Sequence, residues 1–134
     1  LKGSYFLSSQ FAKCCIETNE SGSIINIAST HGVLGFAGRS VYGTSKGGMI
    51  QMTRMLAIEW AENNIRVNTI SPGTVMTNSR QQSLNKEAQL KMLKRIPYGR
   101  FPEEKDIAEA VIYLIEAKNV TGQNIIIDGG MSAT

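Results

Sequence analysis

A chain of 134 residues, 42% hydrophobic and 19% charged, has material for one core and no more than one ordinary domain. Its apolar runs, Ile24-Ile25 and Ile125 to Ile127 among them, fall far short of the roughly 20 residues that span a bilayer, which excludes a transmembrane segment. The net charge of +3 is mild, and no aromatic residues interleave with the basic ones as they do on a nucleic-acid stacking surface.

In chain order, residues 3–19 place Phe6, Leu7, Phe11, Cys14 and Cys15 at helical spacing, and Asn19 to Gly22 stop that helix. "SIINIAS" reads as a short buried strand, followed by the Gly-rich loop "THGVLGFAG". From Val41 to Glu62, Met49, Met52, Leu56 and Trp60, supported by Ile50, Thr53 and Ala57, predict a long amphipathic helix. "IRVNTIS" is a second strand, closed by Pro72-Gly73. Residues 84–95 predict one short helix. Pro102, Glu103 and Glu104 open another, with Ile107, Ala110, Val111 and Leu114 facing inward. "QNIIIDGG" is the last strand.

Alternating helices and strands, with Ile/Val-rich strands, predict an α/β fold whose doubly wound parallel sheet is covered on both faces. Sites in such sheets lie beyond the carboxyl ends of the strands. Those ends carry Ser29, then Pro72-Gly73-Thr74, then Asp128-Gly129-Gly130. Cys14 and Cys15, adjacent in a helix, predict small buried or half-buried apolar side chains, with neither a disulfide nor a metal site. The expected compartment is reducing and cytoplasmic.

The chemistry concentrates in "SVYGTSKGG", Ser40 to Gly48. Tyr42 and Lys46 lie four residues apart and so share one helical face. An ammonium beside a phenol favours the phenolate, and a phenol so tuned can donate or accept a proton near neutral pH. Ser29, thirteen residues before Tyr42 at a strand end, is placed to hydrogen-bond a reacting carbonyl or alcohol oxygen. Gly43, Gly47 and Gly48 weaken a helix, which predicts close approach of another backbone or of a cofactor.

Tyr-x-x-x-Lys with strand-ending "NIAS", the thirteen-residue interval and the later "SPG" together resemble the short-chain dehydrogenase/reductase family, over essentially the whole chain. The resemblance implies a Rossmann-like domain whose carboxyl-terminal portion occupies residues 1–134. It implies Tyr42 as acid/base, Lys46 as its modulator and a ligand of the nicotinamide ribose, and Ser29 as donor to the substrate oxygen. It assigns the carboxamide of NAD or NADP to the Val75 backbone and the Thr77 hydroxyl, with Pro72 and Gly73 shaping the turn. On the substrate side stand Ser29, His31, Gly35 and Phe36, an exposed loop histidine being the plain alternative for His31.

"IPYGRF" and "DGGM" lean towards 3-oxoacyl-carrier-protein reductases, and the basic cluster Lys91, Lys94, Arg95, Arg100 and Lys105 offers a surface for an acidic carrier. Sugar or polyol dehydrogenases share nearly the same features. Residues 77–101 are expected to form either a mobile substrate lid or an amphipathic helix packed permanently on the core. The resemblance also implies a homodimer or homotetramer formed through the first helix and the helix bearing Tyr42.

The family's Gly-rich phosphate turn and a catalytic asparagine expected just before Leu1 are missing from the sequence. The 134 residues are therefore expected to be the carboxyl-terminal part of a longer protein and inactive alone. The alternative is a non-catalytic fragment acting as a dimerisation module. Half a parallel sheet is also expected to leave an unpaired edge and bare apolar faces.

Overall fold

The computed structural model describes all 134 residues. Five helices and three strands follow one another as α1 (Lys2–Thr18), β1 (Gly22–Ile27), α2 (Ser40–Glu59), β2 (Ile65–Pro72), α3 (Asn78–Ser83), α4 (Lys86–Leu93), α5 (Glu104–Glu116) and β3 (Asn124–Ile127), with single 3-10 turns at Thr30–Gly32, Ala61–Asn63 and Met131–Ala133. The sheet is parallel throughout, in the order β1-β2-β3. Gly22 pairs with Ile65 at the start of β1, and Pro72 with Ile127 at the end of β2.

The central strand is the only one covered on both faces. Along β2, Ile65 and Val67 pack with Ala12 and Cys15 of α1 and Leu56 and Ala57 of α2. The alternate residues turn the other way, towards α5 and the loop after it. There the Arg66 guanidinium donates to the carbonyls of Leu114 at 2.7 Å and Ile115 at 3.0 Å, satisfying the last turn of α5. Asn68 brackets the following loop by donating to the Val120 carbonyl and accepting from the Gln123 N–H.

Buried polar groups tie the middle of the sheet to α2. The Thr53 hydroxyl, 1% exposed, accepts from Asn26 Nδ2 at 3.1 Å and from the Thr69 hydroxyl at 2.6 Å. A Thr53→Val substitution keeps the shape and leaves both partners without that acceptor. Each orphaned group costs about 1–3 kcal/mol. Urea unfolding of the full-length protein is therefore expected to show a clear fall in midpoint; an unchanged midpoint refutes the role.

Several expectations are corrected by the structure. The short helix expected over 84–95 is present as α4, opened by Asn85, which accepts the Ala88 N–H, but a further short helix not expected from the sequence, α3, precedes it, opened by Thr77, which accepts the Arg80 N–H. Cys14 is exposed, and only Cys15 is buried. On α1 the buried residues are Ser8, Ala12 and Cys15, while Phe6, Leu7 and Phe11 are exposed.

That exposure has a location. Leu7, Phe11, Ile25, Ile27 and Met49 line an open cavity of about 600 Å³ between α1 and the outer edge of β1, where Ser23 Oγ is buried without a partner. The bare edge and apolar face match the expectation for half a parallel sheet.

Candidate active site

The site is built on the turn after β1 and the first two turns of α2. Ser29 is extended and caps the 3-10 turn, its hydroxyl oxygen accepting the His31 N–H at 3.2 Å. The same oxygen lies 3.3 Å from His31 Nδ1. The serine proton therefore has two directions available, the imidazole nitrogen or the cavity in front of it.

Glycines bring this turn onto α2. A Cβ on Gly43 meets the His31 carbonyl oxygen at 2.9 Å, and one on Gly47 meets the Gly32 carbonyl oxygen at 3.2 Å. On Gly32 it meets the Lys46 carbonyl carbon at 2.8 Å and the Gly47 nitrogen at 2.9 Å. The expected backbone approach is thus real for Gly43 and Gly47. Gly48 differs: its neighbour is the flexible Leu1 side chain.

The contact fixes the reactive groups relative to one another. Lys46 Nζ donates to the Ile27 carbonyl at 2.7 Å, anchoring it at the carboxyl end of β1, and sits 5.8 Å from the Tyr42 ring centroid. The His31 ring meets Tyr42 edge-on, with centroids 5.5 Å apart, and stacks on Phe36 at 4.1 Å. Ser29, His31 and Tyr42 line one cavity of about 300 Å³ together with Arg39, Gly73, Thr74 and Arg80. Phe36 lines an adjoining cavity of about 210 Å³. Gly35 lines neither.

Gly73 ends β2 by donating to the Ile127 carbonyl at 2.8 Å, and a Cβ there falls 2.9 Å from the Asp128 Cβ. Glycine is thus required where β2 and β3 converge. Beyond it, the backbone groups of Thr74, Val75 and Met76 have no hydrogen-bond partner within the chain. The Thr77 hydroxyl accepts from Arg80 N, leaving its own proton free to donate. Neither α3 nor α4 contains a fully buried residue, Met92 and Leu93 are half-buried, and Ile96 after them is buried.

His31 is held below its ordinary pKa of 6.5 by burial first, then by the positive charges of Arg39, Arg80 and Arg95. A folded pKa below the unfolded one means that unfolding takes up a proton. The stability it contributes is complete above about pH 6.5 and is lost as pH falls through the folded value. An NMR titration of the His31 ring in the full-length protein is expected to give a midpoint below 6.5; a midpoint at or above it contradicts the geometry.

Nothing in the sequence marks Arg39, Arg80 or the stacking of His31 on Phe36. Arg39 and Arg80 stood in polar loop-like text with no periodic signal, and their convergence on His31 depends on the loops after two different strands.

A family profile described as enoyl-(acyl carrier protein) reductase matches residues 1–132. The chain belongs to the short-chain dehydrogenase/reductase family. It is 42% identical over 115 residues to the 3-oxoacyl-[acyl-carrier-protein] reductase of Bos taurus, covering 86% of this chain and 47% of that protein. It is 39% identical over 119 residues to glucose 1-dehydrogenase 2 of Bacillus subtilis, covering 87% of this chain and 46% of that one. The structure of 4-hydroxyisoleucine dehydrogenase complexed with NADH superposes with a TM-score of 0.94 at 34% identity, over all of this chain and 56% of that one. The chain thus spans about half the length of the curated relatives it matches.

Proposed function

We propose that the protein, in its full length, is an oxidoreductase that interconverts a small alcohol and its ketone with NAD or NADP. The observation that carries this reading is that Ser29 and Tyr42 face one cavity while Lys46, 5.8 Å from the Tyr42 ring centroid, is anchored on the Ile27 carbonyl and lines the neighbouring cavity between α1 and β1.

The chain's groups fit a nicotinamide cofactor. Lys46 uses one of its three N–H donors on Ile27 and keeps two for ribose hydroxyls. The free backbone groups of Val75 and the free proton of Thr77 suit a carboxamide, which both donates and accepts. When bound, the cofactor takes up or supplies the hydride.

For oxidation, Tyr42 takes the hydroxyl proton while the carbon-bound hydrogen leaves with its electron pair, so the alcohol becomes a ketone. In reduction Tyr42 returns the proton to the oxygen. The Lys46 ammonium stabilises charge building on the phenol oxygen. Ser29 turns its proton from His31 to the substrate oxygen and offsets the charge growing there.

A carrier-linked acyl group, as in the name of the bovine relative, is the second reading, with the basic cluster Lys91, Lys94, Arg95, Arg100 and Lys105 as its surface. The exposed Phe6 and Leu7 of α1 with Val41 and Ile58 of α2 support self-association through these two helices. Unpaired cysteines fit a reducing compartment, and we assign the protein to the cytoplasm. No helix is long and apolar enough to cross a membrane.

The test is calorimetric binding of NADH and NADPH to the full-length protein, followed by reduced-cofactor consumption against a ketone panel. Cofactor-dependent loss of reduced nicotinamide with any ketone supports the reading. Absence of binding to both cofactors refutes it.

A further inference from the structure

Six arginines occur in the chain, and three are engaged. Arg54 donates to the Gln51 side chain, Arg66 ties down the end of α5, and Arg100 is paired with Asp106 at 2.9 Å. The guanidinium groups of the other three, Arg39, Arg80 and Arg95, have no hydrogen-bond or ion-pair partner. They are also the three that line the cavities at the site. Arg39 and Arg80 border both the cavity holding Ser29 and Tyr42 and the adjoining one, and Arg95 lies in the latter with its guanidinium 5.0 Å from the Phe36 ring centroid.

No aspartate or glutamate lines either cavity. The scarcity extends along the sequence: no acidic residue stands between Glu20 and Glu59, or between Glu62 and Glu87. Three like charges facing one small volume repel one another, and no carboxylate lining that volume offsets them. A guanidinium presents a planar fork of donors that matches a carboxylate or phosphate. Two such forks stand at the wall of the cavity that also contains the proposed proton donor.

We propose that the substrate is a small ketone or alcohol bearing a terminal oxyanion, a carboxylate or phosphate, held by Arg39 and Arg80 with Arg95 on the inner side while its reacting oxygen lies at Ser29 and Tyr42. The proposal rests on the alcohol/ketone reading above and adds the substrate's charge. It favours a free oxo or hydroxy acid, or a phosphorylated ketone, over a carrier-bound thioester, which brings no charge close to its reacting carbonyl. The shift of His31 agrees, since the same three arginines act on that ring. Phe36 and Met131 give the adjoining cavity apolar walls for a short carbon chain.

The experiment is a set of calorimetric titrations of the full-length protein, with and without saturating oxidised cofactor so that ketones bind without turnover. The probes are acetoacetate against methyl acetoacetate, levulinate against methyl levulinate, and dihydroxyacetone phosphate against dihydroxyacetone. The N-acetylcysteamine thioester of acetoacetate stands for the carrier-linked form.

At least one anion is expected to bind about 10- to 100-fold more tightly than its neutral counterpart. Preference within the acid pairs identifies a carboxylate, and preference within the last pair a phosphate. The double variant Arg39→Gln/Arg80→Gln is expected to erase the preference while leaving cofactor affinity within about twofold of the parent. Arg39→Lys/Arg80→Lys, which keeps the charge and loses the fork, is expected to fall between.

Neutral probes or the thioester binding as tightly as every anion, a preference that survives the Gln variant, or no anion binding at about 10 mM each overturn the proposal. An anion preference that persists in a protein consuming no reduced cofactor leaves the anion site standing and removes the oxidoreductase reading instead.

Discussion

Replacing Tyr42 by phenylalanine in the full-length protein is expected to reduce turnover by about a hundred- to ten-thousand-fold. The substitution deletes one oxygen. The ring that meets His31 edge-on and lies beside Lys46 remains, so the turn after β1 and the start of α2 keep their packing. Cofactor affinity and the unfolding midpoint should therefore stay close to those of the parent. Loss confined to kcat identifies the phenol as the group that moves the proton. Turnover equal to the parent's rules that assignment out. Weakened cofactor binding with unchanged kcat would place Tyr42 in binding alone.

The second large effect is expected at Gly32, a residue that touches no reacting atom. A Cβ there falls 2.8 Å from the Lys46 carbonyl carbon and 2.9 Å from the Gly47 nitrogen, and both are backbone atoms of α2 that cannot turn aside. Gly32→Val must push the 3-10 turn away from α2, carrying Ser29 and His31 from Tyr42 and Lys46. The expected cost is about 3 kcal/mol or more, at the upper end of overpacking penalties. Activity is expected to fall with it, since reacting groups displaced by about 1 Å lose rate steeply. Gly35→Ala is the control: a Cβ there meets nothing within 4 Å, so stability should be unchanged. Equal unfolding midpoints for the Gly32 variant and the parent would show that the turn does not depend on this contact.

The two predictions concern different properties of one arrangement. In the proposed reaction Tyr42 moves the proton, and Gly32 holds the turn bearing Ser29 close to it. The glycines of Ser40 to Gly48 show why this closeness has a local cost. They weaken α2 intrinsically, and what offsets the loss is the turn packed against it, through Gly43 on the His31 carbonyl and Gly47 on that of Gly32. Sequence periodicity registers the weakness of the helix. Only the folded chain shows what lies against it.

Much of the architecture was legible in the residues because it rests on short-range rules. The Ile/Val-rich segments at residues 24–27, 65–70 and 125–127 became parallel strands, and the apolar stripe through Met49, Ile50, Thr53, Leu56 and Ala57 became the buried face of α2. Ser29, Tyr42 and Lys46 were identifiable because a strand end and a four-residue helical step are local features. The errors were local contests decided by tertiary contacts. The unexpected helix α3 buries no residue and is set by the Thr77 cap, so it carries no apolar periodicity. Cys14 and Cys15 are indistinguishable in sequence, yet only Cys15 reaches the cluster shared by α1, α2 and β2.

The sequence by itself determined the order and type of the elements other than α3, the parallel sheet class, and the placing of Ser29 at a strand end with Tyr42 and Lys46 on one helical face. All three follow from propensity and spacing over a few residues. The tertiary structure alone decided that Arg66 closes the end of α5, that Phe36 stacks on His31, and that Arg39, Arg80 and Arg95 face the cavities of the site. The reason is physical: these contacts join segments far apart in the chain, and their meeting is fixed by how the strands lie side by side in the sheet.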